Sequence, residues 1–107
     1  MTLRQLSVVT ILVTGVFAFS KIGYADDATA ALYKSKCQAC HGADGVGGTA
    51  IGKKLGAKDF HAPEVAKLSD DELFEVTKKG KNKMPAYDKK LTDDQIKDLV
   101  KYIHTLK

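Results

Sequence analysis

The last third of the chain carries the clearest pattern. Ile96, Leu99, Val100, Ile103 and Leu106 recur at three- and four-residue spacing, with polar residues between them. Such spacing places apolar side chains on one stripe of a helix. Two helix starts are written in a shared chemistry. Ser69-Asp70-Asp71-Glu72 and Thr92-Asp93-Asp94-Gln95 each set a hydroxyl at an N-cap and a longer polar side chain three residues on, the pattern of a capping box. Leu68 with Leu73, and Leu91 with Ile96, stand where hydrophobic staples stand. The likeness of the two segments is that of two helices capped alike, and the first is expected to end near Gly80.

Upstream the pattern is weaker. Ala28, Ala31, Leu32 and Tyr33 predict a first helix, capped at Asp26 or Asp27 and running into residues 37–41. A stretch holding Gly42, Gly45, Gly47, Gly48, Gly52 and Gly56 predicts no regular structure until Pro63, a favoured first helical position. Pro85 biases Met84 away from helical geometry and predicts an extended segment from Lys81 to Tyr87. No alternation predicts a strand, so the fold class is all-α.

The first 25 residues read differently. Arg4 precedes an almost wholly apolar run from Leu6 to Phe19, and small residues stand at Gly23 and Ala25. This is the order of a secretory signal peptide, cleaved after Ala25. An uncleaved anchor is the alternative, but the run is shorter than the ~20 apolar residues of a span and Lys21 interrupts it. Residues 26–107 then form one small domain. The 107-residue chain carries 17 basic and 13 acidic residues, a net charge of +4. Losing Arg4 and Lys21 leaves a mild positive balance, which argues against nucleic acid as a partner. A domain of this size builds a marginal core and often needs a staple or a cofactor.

Lys36-Cys37-Gln38-Ala39-Cys40-His41-Gly42 holds both cysteines. A redox disulfide at this spacing belongs to a βαβ context, and no strand is predicted. Structural zinc needs four ligands, and only His61 or His104 could join Cys37, Cys40 and His41. The third reading is c-type haem attachment, whose signature is C-x-x-C-H. Two thiols one helical turn apart add to the haem vinyl groups, and the adjacent His41 supplies one axial ligand. Haem would also give short helices a large apolar centre to pack around. For the sixth position the chain after residue 25 offers one methionine, Met84, in a loop before proline. A thioether opposite histidine raises the reduction potential. His61 is the competing ligand, and His104 is expected at the surface of the last helix.

With these residues in place the chain resembles a small bacterial class I cytochrome c of the monohaem type, similar to the small soluble photosynthetic cytochromes. The resemblance runs from about Ala28 to Leu106 and rests on CQACH (Cys37 to His41), KMPAY (Lys83 to Tyr87) and LVKYI (Leu99 to Ile103). It implies three to four short helices around one covalent haem c on Cys37 and Cys40, with His41 and Met84 as axial iron ligands. It implies electron transfer without chemistry on a small-molecule substrate, hence no catalytic residues and no enzyme. It also implies that Tyr33 packs on Tyr102. Two positions depart from the family. Thr29 stands where many relatives have a helix-crossing glycine, and no proline lies between His41 and Pro63 to offer its carbonyl to the histidine ring.

The alternatives are a haem enzyme or small-ligand sensor with a displaceable sixth ligand, and a zinc-binding module. Gly45 to Ala50 fits a nucleotide-binding glycine pattern but follows no strand, so the match carries nothing. These glycines are expected to let the backbone pass close to haem. Lys78, Lys79, Lys81, Lys83, Lys89 and Lys90 flank Met84, with Lys53, Lys54 and Lys58 as further candidates. They read either as an ordinary solvated face or as a basic ring that steers acidic redox proteins. The location implied is the periplasm or another exported compartment, with membrane contact only through partner complexes. Mass spectrometry of exported, haem-loaded protein is expected to find an N-terminus at Asp26; Met1 on that material would refute cleavage.

Overall fold

Two capped helices set the frame. The computed structural model describes Gly15 and residues 22–107, with side chains from Asp27 onward; most of the leader expected over residues 1–25 lies outside the described residues. The elements are α1 (Ile22–Lys36), α2 (Gln38–His41), α3 (Ala50–Leu55), α4 (Pro63–Ala66), α5 (Asp70–Lys79) and α6 (Asp93–Ile103). Among the described residues no helix is long and apolar enough to cross a membrane. The fold is all-α, with six helical segments among the described residues where three to four were expected, because α2 and α4 are single turns.

Both capping boxes form. The Ser69 hydroxyl accepts from the Glu72 amide at 3.1 Å, and the Glu72 carboxylate accepts from the Ser69 amide at 2.8 Å. Thr92 and Gln95 repeat the exchange at the head of α6. Each box satisfies amides that a helix start leaves without partners. α5 stops at Gly80, as its sequence predicts.

α5 and α6 run antiparallel and are pinned at both ends. Lys78 Nζ lies 3.0 Å from Asp93, and His104 Nε2 lies 2.7 Å from Asp70. α6 packs on α1 as well as on α5, and α2 packs on α1 and α3. The stripe read from sequence is the core: Tyr33, Leu91, Ile96 and Leu99 cluster, with Ile96 fully buried, and Leu106 packs against them from beyond the end of α6. Tyr33 and Tyr102 meet at 5.2 Å between ring centroids, tilted by 47°. Thr29 is buried, so the helix packing accommodates its side chain.

α1 is described from Ile22, and cleavage after Ala25 would leave Asp26 and Asp27 at its head. Two expectations change. The glycine-rich stretch contains α3, because the Thr49 hydroxyl caps the Gly52 amide at 2.9 Å and Gly56 ends the helix in left-handed geometry. Glycine density masked that cap. Lys81 to Met84 is a tight turn closed by two backbone bonds, Lys81 N to Met84 O at 3.1 Å and Met84 N to Lys81 O at 2.9 Å. Asn82 supplies the positive φ of 53° there, and residues 85–87 after it carry no regular structure.

Thr92→Ala is expected to destabilise the protein by about 1 kcal/mol, read as a lower urea midpoint with unchanged slope.

Candidate functional site

Cys37 is the joint between α1 and α2. Its amide still bonds back to Tyr33 O at 2.9 Å, and its own carbonyl accepts from Cys40 and His41, at 3.3 and 3.0 Å. One turn of helix therefore carries Cys37, Cys40 and His41 at positions that share a face. Gly42, at φ +80°, ends the turn, and its carbonyl accepts the buried Tyr33 hydroxyl at 2.6 Å. The segment is held largely by its backbone.

Both thiols are free and half-buried, so no disulfide closes the motif. Burial, and then the neighbouring Cys40, push the Cys37 thiol up to about 11. It is a thiol at neutral pH, and such a group is a poor nucleophile unaided. Among the described residues no cluster of histidine, cysteine and acidic side chains could hold a metal ion. The histidines that zinc would need are engaged elsewhere: His104 with Asp70, and His61 through both ring nitrogens, Nδ1 to Asp59 and Nε2 to the Leu106 carbonyl, each at 2.9 Å. In this arrangement neither histidine is directed at the two thiols.

His41 is held on two sides. Its Nδ1 lies 3.3 Å from the Lys58 carbonyl, and Phe60 stacks on the ring at 4.5 Å and 24°. A carbonyl only accepts, so Nδ1 carries the proton and Nε2 keeps its lone pair. Burial lowers the His41 pKa, against the pull of the Lys58 carbonyl, so the ring is neutral. A neutral imidazole with Nδ1 tied to a carbonyl is the form in which histidine ligates a metal. The proline missing from the loop is thus replaced by the backbone of Lys58. No side-chain pattern announces such a carbonyl; Phe60, the one aromatic in a polar loop, was the available signal for this wall.

Met84 closes its turn half-buried, and Gly80 makes that turn possible. A Cβ at Gly80 would stand 2.8 Å from the Met84 carbonyl and 2.9 Å from the Ala86 amide. The segment is tied to the cysteine motif through Tyr87, whose hydroxyl donates to Lys36 O at 2.9 Å. Burial, then Cys37 and Cys40, raise the Tyr87 pKa. That hydroxyl is committed to the Lys36 carbonyl of α1. Cys37, Cys40, His41 and Met84 are all half-buried, as walls of a site are, and none belongs to the core.

The chain matches the family model described as cytochrome C oxidase, cbb3-type, subunit III, over residues 25–103. It is 38% identical over 100 residues to cytochrome c-553 of Helicobacter pylori, covering 91% of this chain and 96% of that one. The chain belongs to the class I cytochrome c family. It is also 33% identical over 77 residues to the cbb3-type cytochrome c oxidase subunit CcoP of Azospirillum brasilense, covering 70% of this chain but only 26% of that subunit. Among solved structures it resembles the KustC0563 c-type cytochrome at 35% identity and a TM-score of 0.65, over 74% of this chain and 98% of the other.

As a class I cytochrome c, the protein carries one covalently attached haem c. Its side chains fit that group: two free thiols and a neutral imidazole on one turn, beside α3, whose Ile51 and Leu55 remain exposed at 52% and 39%. Two of the loop glycines, Gly47 and Gly52, are sites of close backbone contact. A Cβ at Gly52 would stand 2.1 Å from Cys40 O, and one at Gly47 2.8 Å from Ala57 O. They let backbone press on backbone behind the motif.

Gly52→Ala is expected to cost about 3 kcal/mol or more, because the obstacle is main chain and cannot swing aside. Gly48→Ala, where a Cβ meets nothing within 4 Å, is the matched neutral control. Urea midpoints and the yield of haem-loaded protein read both.

Proposed function

We propose that this cytochrome is an exported, freely diffusing electron carrier in which Cys37 and Cys40 bind haem as thioethers and His41 and Met84 ligate its iron. The observation that carries the reading is the Lys58 carbonyl on His41 Nδ1, which leaves Nε2 as the ring's donor atom on the same turn as both free thiols. When bound, haem supplies a one-electron ferric–ferrous couple. The chain's own residues do the rest. The Lys58 carbonyl fixes the His41 tautomer, and Phe60 fixes the ring plane. The 81–84 turn presents a methionine whose soft sulfur favours ferrous iron. A filled sixth position is what separates a carrier from a haem enzyme or ligand sensor. Both His61 ring nitrogens are engaged, which supports Met84 in that place.

The leader pattern from Arg4 to Ala25 supports export to the periplasm. The lysines around Met84 support a protein partner with an acidic docking face. Of the six, Lys78 pairs with Asp93 and Lys79 with Glu75, and Lys90 lies 5.5 Å over the Tyr87 ring. Lys81, Lys83 and Lys89 are exposed without an ion pair among the described residues, so their charge is available to a partner. The likeness to an oxidase subunit supports a larger redox complex as one such partner.

Two measurements test this reading. Oxidised wild type is expected to show the sulfur-to-iron charge-transfer band and to bind cyanide slowly. Met84→Ala should lose the band and bind cyanide readily; retention of the wild-type spectrum would put another residue on the iron. Reversing Lys81, Lys83 and Lys89 to glutamate should slow transfer to an acidic partner roughly tenfold or more at low salt, and less as salt shortens the Debye length. Rates indifferent to ionic strength would leave these lysines as a solvated face.

A further inference from the structure

His61 makes three bonds that tie its loop to itself and to the C-terminal segment. Its amide donates to Asp59 Oδ1 at 2.8 Å, its Nδ1 lies 2.9 Å from the same oxygen, and its Nε2 lies 2.9 Å from the Leu106 carbonyl. Carboxylate and carbonyl oxygens both accept. The ring can satisfy the two together only with a proton on each nitrogen, as imidazolium. A neutral imidazole has one N–H, and must set a lone pair against one of the two oxygens.

The ties lead to the His41 pocket. Phe60, next in the chain, stacks on His41, and its amide bonds to Gly45 O at 2.9 Å. Leu106 and Phe60 converge on Gly45, where an added Cβ would stand 3.3 Å from one and 2.7 Å from the other. Lys58, one residue before Asp59, offers the carbonyl that holds His41 Nδ1. One short loop thus braces the His41 ring and is itself roped to the C-terminal segment through His61.

We propose that His61 is a proton-gated strap: protonated, it ties the C-terminal segment to the loop that braces His41; neutral, it drops one tie, and the reduction potential follows its titration. This rests on the His41 ligation proposed above. The charged groups facing His61 are Asp59 from its own loop and Asp44 from the glycine loop, while the C-terminal segment faces it with the Leu106 carbonyl. The Leu106 carbonyl and then Asp59 raise the His61 pKa, and bonds from His61 lower that of Asp59. The sign follows from linkage. A folded pKa above the ordinary 6.5 means stabilisation present below that pH and lost as pH rises through the raised value. The Asp59 side is lost only in acid, as pH falls below 3.8 through the lowered value. Ferric iron carries one more positive charge than ferrous, so the oxidised protein holds the His61 proton less tightly. The potential therefore falls as pH rises through this window and is flat on either side.

The test is a spectroelectrochemical titration of the haem-loaded protein between about pH 5 and pH 9, with His61 ring shifts and Phe60 amide exchange followed by NMR. Wild type should show one inflection, matching the His61 ring titration, with Phe60 exchange faster above it. A three- to tenfold difference in proton affinity between oxidation states would move the potential by about 28 to 59 mV. His61→Ala should be flat at the lower potential. His61→Lys, which keeps a charged donor, should be flat at the higher one, and His104→Ala should keep the wild-type curve. A flat wild type, or an unchanged inflection in His61→Ala or His61→Lys, overturns the proposal. Failure of the ligation reading shows separately, in the absorption spectrum. If His61→Ala does not fold, His61→Lys and the wild-type ring titration decide.

Discussion

The buried hydroxyl of Tyr33 is the bond on which the arrangement turns. At 2.6 Å it donates to Gly42 O, the carbonyl just past the Cys37–His41 turn, and burial raises its pKa far enough that it stays a donor at any ordinary pH. The same ring packs on Tyr102 of α6. One residue thus fixes the functional turn to α1 and joins α1 to the last helix. Removing the hydroxyl would leave a buried carbonyl without its partner, which costs about 1–3 kcal/mol, and would free the end of the turn that carries His41.

Around this pivot the site is built mostly from main chain. The Lys58 carbonyl orients His41, the Lys36 carbonyl anchors Tyr87, and the Cys40 carbonyl rests where a Gly52 side chain would be. A donor group must be placed within a fraction of an ångström to keep its geometry through a change of oxidation state. Backbone atoms inside short helices move less than side-chain tips. The three carbonyls come from three settings: Lys36 from the end of α1, Cys40 from the single turn of α2, and Lys58 from the loop after α3.

That design explains what the sequence made legible. Side-chain signals were read correctly: the Ser69 and Thr92 capping boxes, the Ile96–Leu99–Val100 stripe, the Tyr33–Tyr102 pair, and the C-x-x-C-H motif as the mark of a haem protein. Features made by backbone were not. α3 hides among glycines because its determinant is one hydroxyl, Thr49, and the apparent flexibility of Gly52 is in fact a tight contact. The acceptor for His41 could not be named because every residue has a carbonyl. Pro85 argued for an extended segment, but Asn82, able to take a positive φ, folds the four residues before it into a turn.

The pinned pair of α5 and α6 has a kinetic consequence. Its two ion pairs span 15 and 34 positions, and both helices carry their own start signals. The bond from Tyr87 to Lys36, by contrast, closes 51 positions. Short loops close with less entropy lost than long ones, and rapid folding favours contacts near in sequence. The C-terminal hairpin can therefore assemble on its own account and wait as a preformed surface. The Tyr87–Lys36 bond, with its 51-position separation, carries the larger closure entropy, so contact order favours the hairpin forming ahead of the docking of α1 and its cysteine turn.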